Sequence, residues 1–267
     1  MMSLKISTFQ HEESQFLNWA QEEIMKKTIL SLAGFFLAVL SFAGTEPMPK
    51  PFLELKLNGN LENTGSGEFT VSKLRPDNLG WKKGRDNGKS VYFNNDLRNP
   101  GSRGCYSALV IPDGSKKCDT AEPFTVAMWI MPDPAVMSRS CILFTGFSGD
   151  FGSGIKILLN GRNVIVVEYG QGTRKTLGAV RGTKMTVQPD VWSHVAVTYD
   201  KKVCRIYING ILCKEDKIEL VTGSSSEITI GASRKGYAYG YRGCMSGLCF
   251  YKQALTDQQV MIVARGE

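Results

Sequence analysis

Histidine is nearly absent from this sequence: His11 and His194 are its only two. A zinc centre needs several nitrogen or sulfur ligands, and the seven cysteines include no C-x-x-C pair to make up the number. Basic residues outnumber acidic ones, 32 against 25, yet no run of five or more Lys/Arg occurs, which argues against the polybasic tail of a nucleic-acid binder. The G-x-S-x-G elbow that would seat a nucleophilic serine is also missing. Ser193 adjoins His194, but neighbours on a strand project to opposite faces, so the two do not form a catalytic pair. His194 therefore reads as a structural residue between strands. Low-complexity tracts and internal repeats are lacking as well, and beyond residue 43 no apolar run is long enough to span a bilayer.

What is present starts with a leader. From Met25 the chain reads MKKTILSLAGFFLAVLSFAG. Lys26 and Lys27 form a basic start, Thr28 to Leu40 an apolar segment, and Ser41-Phe42-Ala43 a small-x-small cleavage site at Ala43. This is the pattern of a secretory signal peptide over 25–43, and it predicts an extracellular, periplasmic or cell-surface protein. Residues 1–24 are polar and would make an abnormally long leader, so translation is expected to begin at Met25. A short linker, 44–50, leads into one domain over 51–267.

Export places the cysteines in an oxidising environment, where some pairing is expected. Seven is an odd number, so at least one stays free or bonds another chain. Cys105, Cys118, Cys204 and Cys213 are the disulfide candidates. Cys244 and Cys249 are five apart on one expected strand, which points them to opposite faces and away from a mutual bond.

The chain has 42% hydrophobic residues and 28 glycines. Short apolar or alternating runs recur from Pro51 onward: FLELKL (52–57), SALVI (107–111), FTVAMWIM (124–131), IKILL (155–159), NVIVVEY (163–169), HVAVTY (194–199), CRIYI (204–208) and EITIG (227–231). Their length and β-branched content predict an all-β chain, and their spacing suits a sandwich or barrel. Asn160-Gly161 and Asn209-Gly210 separate pairs of these runs and supply the positive φ of tight hairpins. With Ile208 opposite Ile211, Cys213 faces Ile206 and Cys204 lies diagonally across, about 7–8 Å away. That is long for a disulfide unless a bulge shifts the register. The one helix signal is terminal: Thr256 as cap, Gln259 three residues on, then VMIVA (260–264).

Four patches in order resemble the LamG-like jelly-roll family of the concanavalin A-like lectin/glucanase superfamily. They are LELKLNGNLENTGSGE (53–68), FTVAMWIMPD (124–133), WSHVAVTYD with IYINGILC (192–213), and YRGCMSGLCFYKQALTDQQV (241–260). The resemblance covers roughly residues 51–265 and implies two antiparallel sheets packed face to face as a jelly roll, with a short terminal helix. It implies glycan binding, adhesion or glycoside hydrolysis, since fold does not choose among these. A retaining hydrolase needs two carboxylates about 5–5.5 Å apart, which relatives place in a Glu-x-Asp-x-x-Glu strand that this sequence lacks. Its nearest cluster, Glu215, Asp216 and Glu219, is interleaved with lysines and reads as solvated surface. Where many relatives carry calcium-binding aspartates the positions read Asn58 and Ser246, so no metal or other cofactor is expected.

The remaining candidates are aromatic. Tyr237 and Tyr239 lie in a glycine-broken loop with Arg234, Lys235 and Arg242 around them, and Trp81 lies in a second basic loop. Sugar rings stack on aromatic faces, and Arg or Lys binds their acidic groups. Tyr241, Trp129 and Trp192 read as core. The expected role is a non-catalytic module for a glycan or an extracellular protein partner. The rivals are a glycan-cleaving enzyme and a structural adhesion protein.

Overall fold

The alternating runs become strands, and further strands lie between them. A computed structural model describes residues 47–95, 105–134, 139–146, 153–172, 177–223, 225–233 and 236–266. The leader, with Ala43, lies outside these residues, as do Arg234 and Lys235. In chain order the strands are β1 (Leu53–Leu55), β2 (Ser72–Leu74), β3 (Leu79–Lys83), β4 (Lys89–Asn94), β5 (Ala108–Ile111), β6 (Phe124–Pro132), β7 (Arg139–Phe144) and β8 (Ser153–Asn160). They continue with β9 (Ile165–Gln171), β10 (Leu177–Val180), β11 (Ser193–Tyr199), β12 (Val203–Ile208), β13 (Ile211–Lys217), β14 (Ile228–Ile230) and β15 (Arg242–Tyr251). A single helical turn, α1 (Gly114–Lys117), precedes β6, and α2 (Asp257–Arg265) closes the chain.

All pairings are antiparallel and form two sheets, as a jelly roll requires. The first runs β13-β12-β11-β6-β15-β4-β3, with β1 also on β15. The second runs β10-β9-β8-β7-β14-β5-β2. Strand alternation turns Val126, Met128 and Ile130 of β6 and Val195, Val197 and Tyr199 of β11 inward, where they meet Ile155, Ile157 and Ile230 of the second sheet. Phe124 stacks on Phe250 at 5.8 Å between ring centroids. Asn209 and Gly210 both take positive φ, 52° and 79°, the geometry of a type I′ hairpin. Thr256 caps α2 in a reciprocal capping box with Gln259, and Gly266 ends it at φ 77°.

The two sheets are joined where the chain crosses between them. Asn95 is fully buried just after β4. Its Nδ2 donates to the carbonyls of Tyr241 (2.8 Å), Ser107 (3.1 Å) and Gly231 (3.4 Å), and its Oδ1 accepts from the Ser107 amide at 2.7 Å. These residues flank β4, β5, β14 and β15, so one side chain joins both crossovers.

Two bulges alter the expected faces. Between Ile206 and Tyr207 the register shifts, so Ile206 pairs with Lys214 and Cys204 with Asp216. Cys213 becomes the extra residue and stays well along the strand from Cys204. A second shift in β15, between Ser246 and Cys249, includes Gly247 at φ 58°. It inverts the parity, so Met245 and Leu248 both enter the core, while Cys244 and Cys249 share the outer side instead of opposing one another. All seven thiols, including the four disulfide candidates, are unpaired. Six are buried and Cys105 is exposed. Burial pushes the Cys118, Cys141, Cys204 and Cys249 thiols up to about 12, which keeps them protonated and inert.

His194 is packed within the sheet, as expected of a residue between strands. It is buried on the outer side of β11, edge-on to Trp129 at 5.3 Å between centroids, and its Nδ1 has no hydrogen-bond partner. Trp129 is not a core residue: it is half-buried on that outer side, with the Arg85 guanidinium 4.1 Å over its ring. Burial, then the Arg85 charge, lowers the His194 pKa from 6.5 to about 4.

Two stability predictions follow from these buried groups. Asn95→Leu strands the Ser107 amide and the carbonyls around it, and is expected to destabilise the fold by about 3 kcal/mol in urea unfolding. An unchanged midpoint would refute the joint. For His194 the native state holds the neutral imidazole, so the unfolded chain binds the extra proton between pH 6.5 and about 4. Its contribution is therefore complete above pH 6.5 and is lost as pH falls towards 4, by roughly 3 kcal/mol. Thermal melts across this window should show the loss, and His194→Gln should flatten it.

Candidate functional site

A straight row of outward side chains crosses the second sheet. Val110, Thr229, Phe144, Lys156, Glu168 and Ala179 stand opposite one another from β5 to β10. Two of the six are charged, although all but Ala179 are buried. The β8–β9 hairpin sets this register: Asn160 Oδ1 accepts from the amides of Arg162 (2.9 Å) and Val164 (3.1 Å), and Asn163 takes φ 56°. Leu159 then pairs with Ile165, and Lys156 meets Glu168.

The Glu168 carboxylate is clasped by three cations. Lys156 Nζ lies 2.9 Å from Oε2. Arg139 Nη2 donates to Oε1, and Arg181 Nη2 approaches the same oxygen at 3.9 Å. The Lys156 and Glu168 side chains are only 6% and 9% exposed, whereas Arg139 and Arg181 are 43% and 66% exposed. A buried carboxylate survives only when paired and hydrogen-bonded, and Glu168 has partners on both oxygens. Three positive charges around one negative leave the cluster net positive.

Tyr239 completes the site. Its ring packs on Cys141, Phe144, Leu158 and Val166, the apolar part of the same outer face. Lys156 Nζ sits 4.7 Å and Arg139 Cζ 5.5 Å from its centroid, within cation–π range. The Cys141 amide donates to the Tyr239 carbonyl at 2.7 Å, which pins the loop to β7.

The sequence candidates are thus redistributed. Tyr237 is exposed, but it does not share an extended segment with Tyr239. Ser233 and Ala238 bridge, and Gly236 and Tyr239 take positive φ, so the chain turns between the two rings. Arg242 belongs to the other sheet: it enters β15 opposite Asn94, and its Nε lies 3.2 Å from Asp133 Oδ2. Trp81 is in strand β3, paired with Val91 and half-buried against the core, and not in a loop. Tyr241 is in the core as expected. Arg139, Lys156, Glu168 and Arg181 are not among the sequence candidates, although Lys156 and Glu168 stand four residues either side of Asn160 and Val164. An opposite-charge pair equidistant from a turn is the signal that finds them.

The other chemistries have poor footing. Glu215 is 3.2 Å from Arg205 Nε and Asp216 is 2.8 Å from Lys214 Nζ, so the acidic cluster after the hairpin is spent on ion pairs. At the positions of the family's calcium aspartates, Asn58 is exposed and the Ser246 hydroxyl donates to the Lys56 carbonyl at 3.3 Å. No group of three His, Cys, Asp or Glu converges among the described residues. The donors present do not fit a calcium ion, which favours several anionic oxygens. No helix among the described residues is long and apolar enough to cross a membrane.

Comparison with known proteins follows the architecture. No curated protein sequence matches the chain. Among solved structures, the binding domain of Paraclostridial Mosquitocidal Protein 1 superposes with a TM-score of 0.62 at 15% identity, over 81% of this chain and 52% of that one. The binding domain of botulinum neurotoxin DC, solved in complex with SialylT, gives 0.59 at 14% identity, over 81% and 51%. A botulinum neurotoxin type C structure, described for its interaction with two ganglioside molecules, gives 0.60 at 14%, again over 81% and 51%. The chain therefore spans about half the length of these structures, and at such identities they share its fold. A laminin G family model, described as the concanavalin A-like lectin/glucanases superfamily, matches residues 103–261, more than half of the sequence. The chain belongs to the concanavalin A-like lectin/glucanases superfamily.

Proposed function

We propose that this chain is an exported, non-catalytic module that recognises a glycan on the outer face of its second sheet. The observation that carries the reading is the Tyr239 ring, held beside Arg139, Lys156 and Glu168 on that face. Saccharide sites combine an aromatic surface for the sugar ring with a few fixed polar groups for its hydroxyls. Tyr239 supplies the first and the charged cluster the second. Two of the similar structures are described with a ganglioside or with SialylT, which supports the reading.

Carboxylate geometry weighs against hydrolysis. Glu168 and Glu227 are the buried carboxylates among the described residues. Glu168 is in β9 and Glu227 directly precedes β14, three strands apart in the order β9-β8-β7-β14. At about 4.8 Å per strand that is roughly 14 Å, beyond both the ~5.5 Å of retaining and the ~9.5 Å of inverting enzymes. The leader pattern over 25–43 supports export.

A glycan array on the purified protein checks the site. Binding is expected and should fall at least about tenfold in Tyr239→Ala, with a smaller effect for Tyr237→Ala, taking the ~1–3 kcal/mol of a base stacked on an aromatic side chain as the scale. Binding untouched by both substitutions would remove the site. Reducing ends released from any polysaccharide would overturn the non-catalytic reading.

A further inference from the structure

We infer that the saccharide bound on this face is acidic, and that Arg139 and Arg181 receive its carboxylate or sulfate group. The inference rests on the glycan-recognition reading and goes beyond it by naming the chemical class of the ligand. The cluster holds Arg139, Lys156 and Arg181 against the single carboxylate of Glu168, an excess of two positive charges. Lys156 is sequestered beneath the surface on Glu168 Oε2, so it neutralises Glu168 locally and offers little to an incoming ligand. The two arginines are the cations that reach solvent, at 43% and 66% exposure.

Their donors exceed what Glu168 accepts. Each guanidinium carries five N–H groups in a planar fork. Arg139 and Arg181 address the same oxygen, Oε1, and Arg181 stands 3.9 Å from it, an ion-pair distance and longer than a hydrogen bond. The Arg181 fork therefore keeps its hydrogen-bonding edge for another oxyanion. Arginine forks match carboxylate and sulfate oxygens two at a time. The anion would sit beside Tyr239, whose ring already lies 5.5 Å from the Arg139 guanidinium carbon. An acidic sugar thus brings its ring to the tyrosine and its charge to the arginines in one pose.

The test uses the full exported protein against matched saccharide pairs: sialylated and desialylated, and sulfated and desulfated, on the same neutral core. The acidic member of a pair is expected to bind at least about tenfold more tightly, the scale of one charge-assisted hydrogen bond. Raising the salt concentration should narrow that difference. Arg181→Gln, an exposed change outside any hydrogen bond to Glu168, should lower the preference, and Arg139→Gln with Arg181→Gln should abolish it. Thermal melts of each variant separate lost binding from lost folding. Preference for the sialylated or the sulfated pair identifies which anion is read. Equal binding of neutral and acidic members, or a preference that survives in folded Arg181→Gln and in the double variant, overturns the inference and leaves glycan recognition standing. Failure to bind any saccharide overturns the glycan reading itself, and the inference with it.

Discussion

One asparagine amide governs how the two sheets meet. A jelly roll must carry its chain from one sheet to the other, and each crossing leaves backbone groups that no strand ladder satisfies. Asn95 resolves two crossings at once, because its side chain bonds Ser107 before β5, Gly231 after β14 and Tyr241 before β15. The consequences reach the outer face. The Gly231 amide donates to Ile142 of β7, and the Tyr241 amide to Gly231, at 3.0 and 2.7 Å. Position 231 tolerates only glycine, since a Cβ there would lie 2.2 Å from the Phe93 ring. With β14 fixed against β7 and the chain before β15 tied to Gly231, the Tyr239 carbonyl falls within reach of the Cys141 amide, and its ring packs beside the charged row. A buried joint thus sets the position of a surface tyrosine.

Much of the scaffold was legible because its code is local. Apolar alternation marked β6, β11 and β12, Asn209-Gly210 marked their hairpin partner β13, and the capping box marked α2. What resisted reading was parity. A period of two assigns faces only while the count of residues is unbroken, and a bulge inserts one residue and inverts every assignment beyond it. Cys213 occupies such an insertion, which is why it and Cys204 do not meet. Gly247, at φ 58°, marks the other, and Cys244 and Cys249 end on the same side because of it. Trp129 faces away from the core for a related reason, whereas Trp81, expected in a loop, is on strand β3 and faces the core. Both are on strands, and which side of a strand is core depends on the opposing sheet, not on the neighbours in sequence.

The candidate site was legible only in its aromatic part. Tyr239 stands out in the sequence as a tyrosine in a glycine-broken loop, with Arg242 among its nearest basic residues. The fold supplies different ones. Arg139 arrives on β7, Lys156 on β8, and Arg181 directly after β10, each from a separate part of the chain. Only the Lys156–Glu168 pair sits within one hairpin, so only that pair has a signature short enough for a single sequence to show.

Burying that pair gives the second sheet little in stability. The rest of the outer row near it is apolar or small, and exchanging a buried ion pair for well-packed hydrophobic residues is commonly neutral or favourable by about 1–4 kcal/mol. Val110, Phe144 and Ala179 show that this face accommodates such residues readily. The pair has a different effect on electrostatics. Glu168 anchors Arg139 beside Tyr239 and draws Arg181 towards the same oxygen, while Lys156, poorly screened in its buried position, compensates the carboxylate that does so. Replacing both members by leucine and valine would leave the sheet intact and release the two arginines into solvent as independent, mobile charges. A fold that needed only a core has no use for this arrangement. The proposed glycan site, which requires a positive edge held next to an aromatic ring, does.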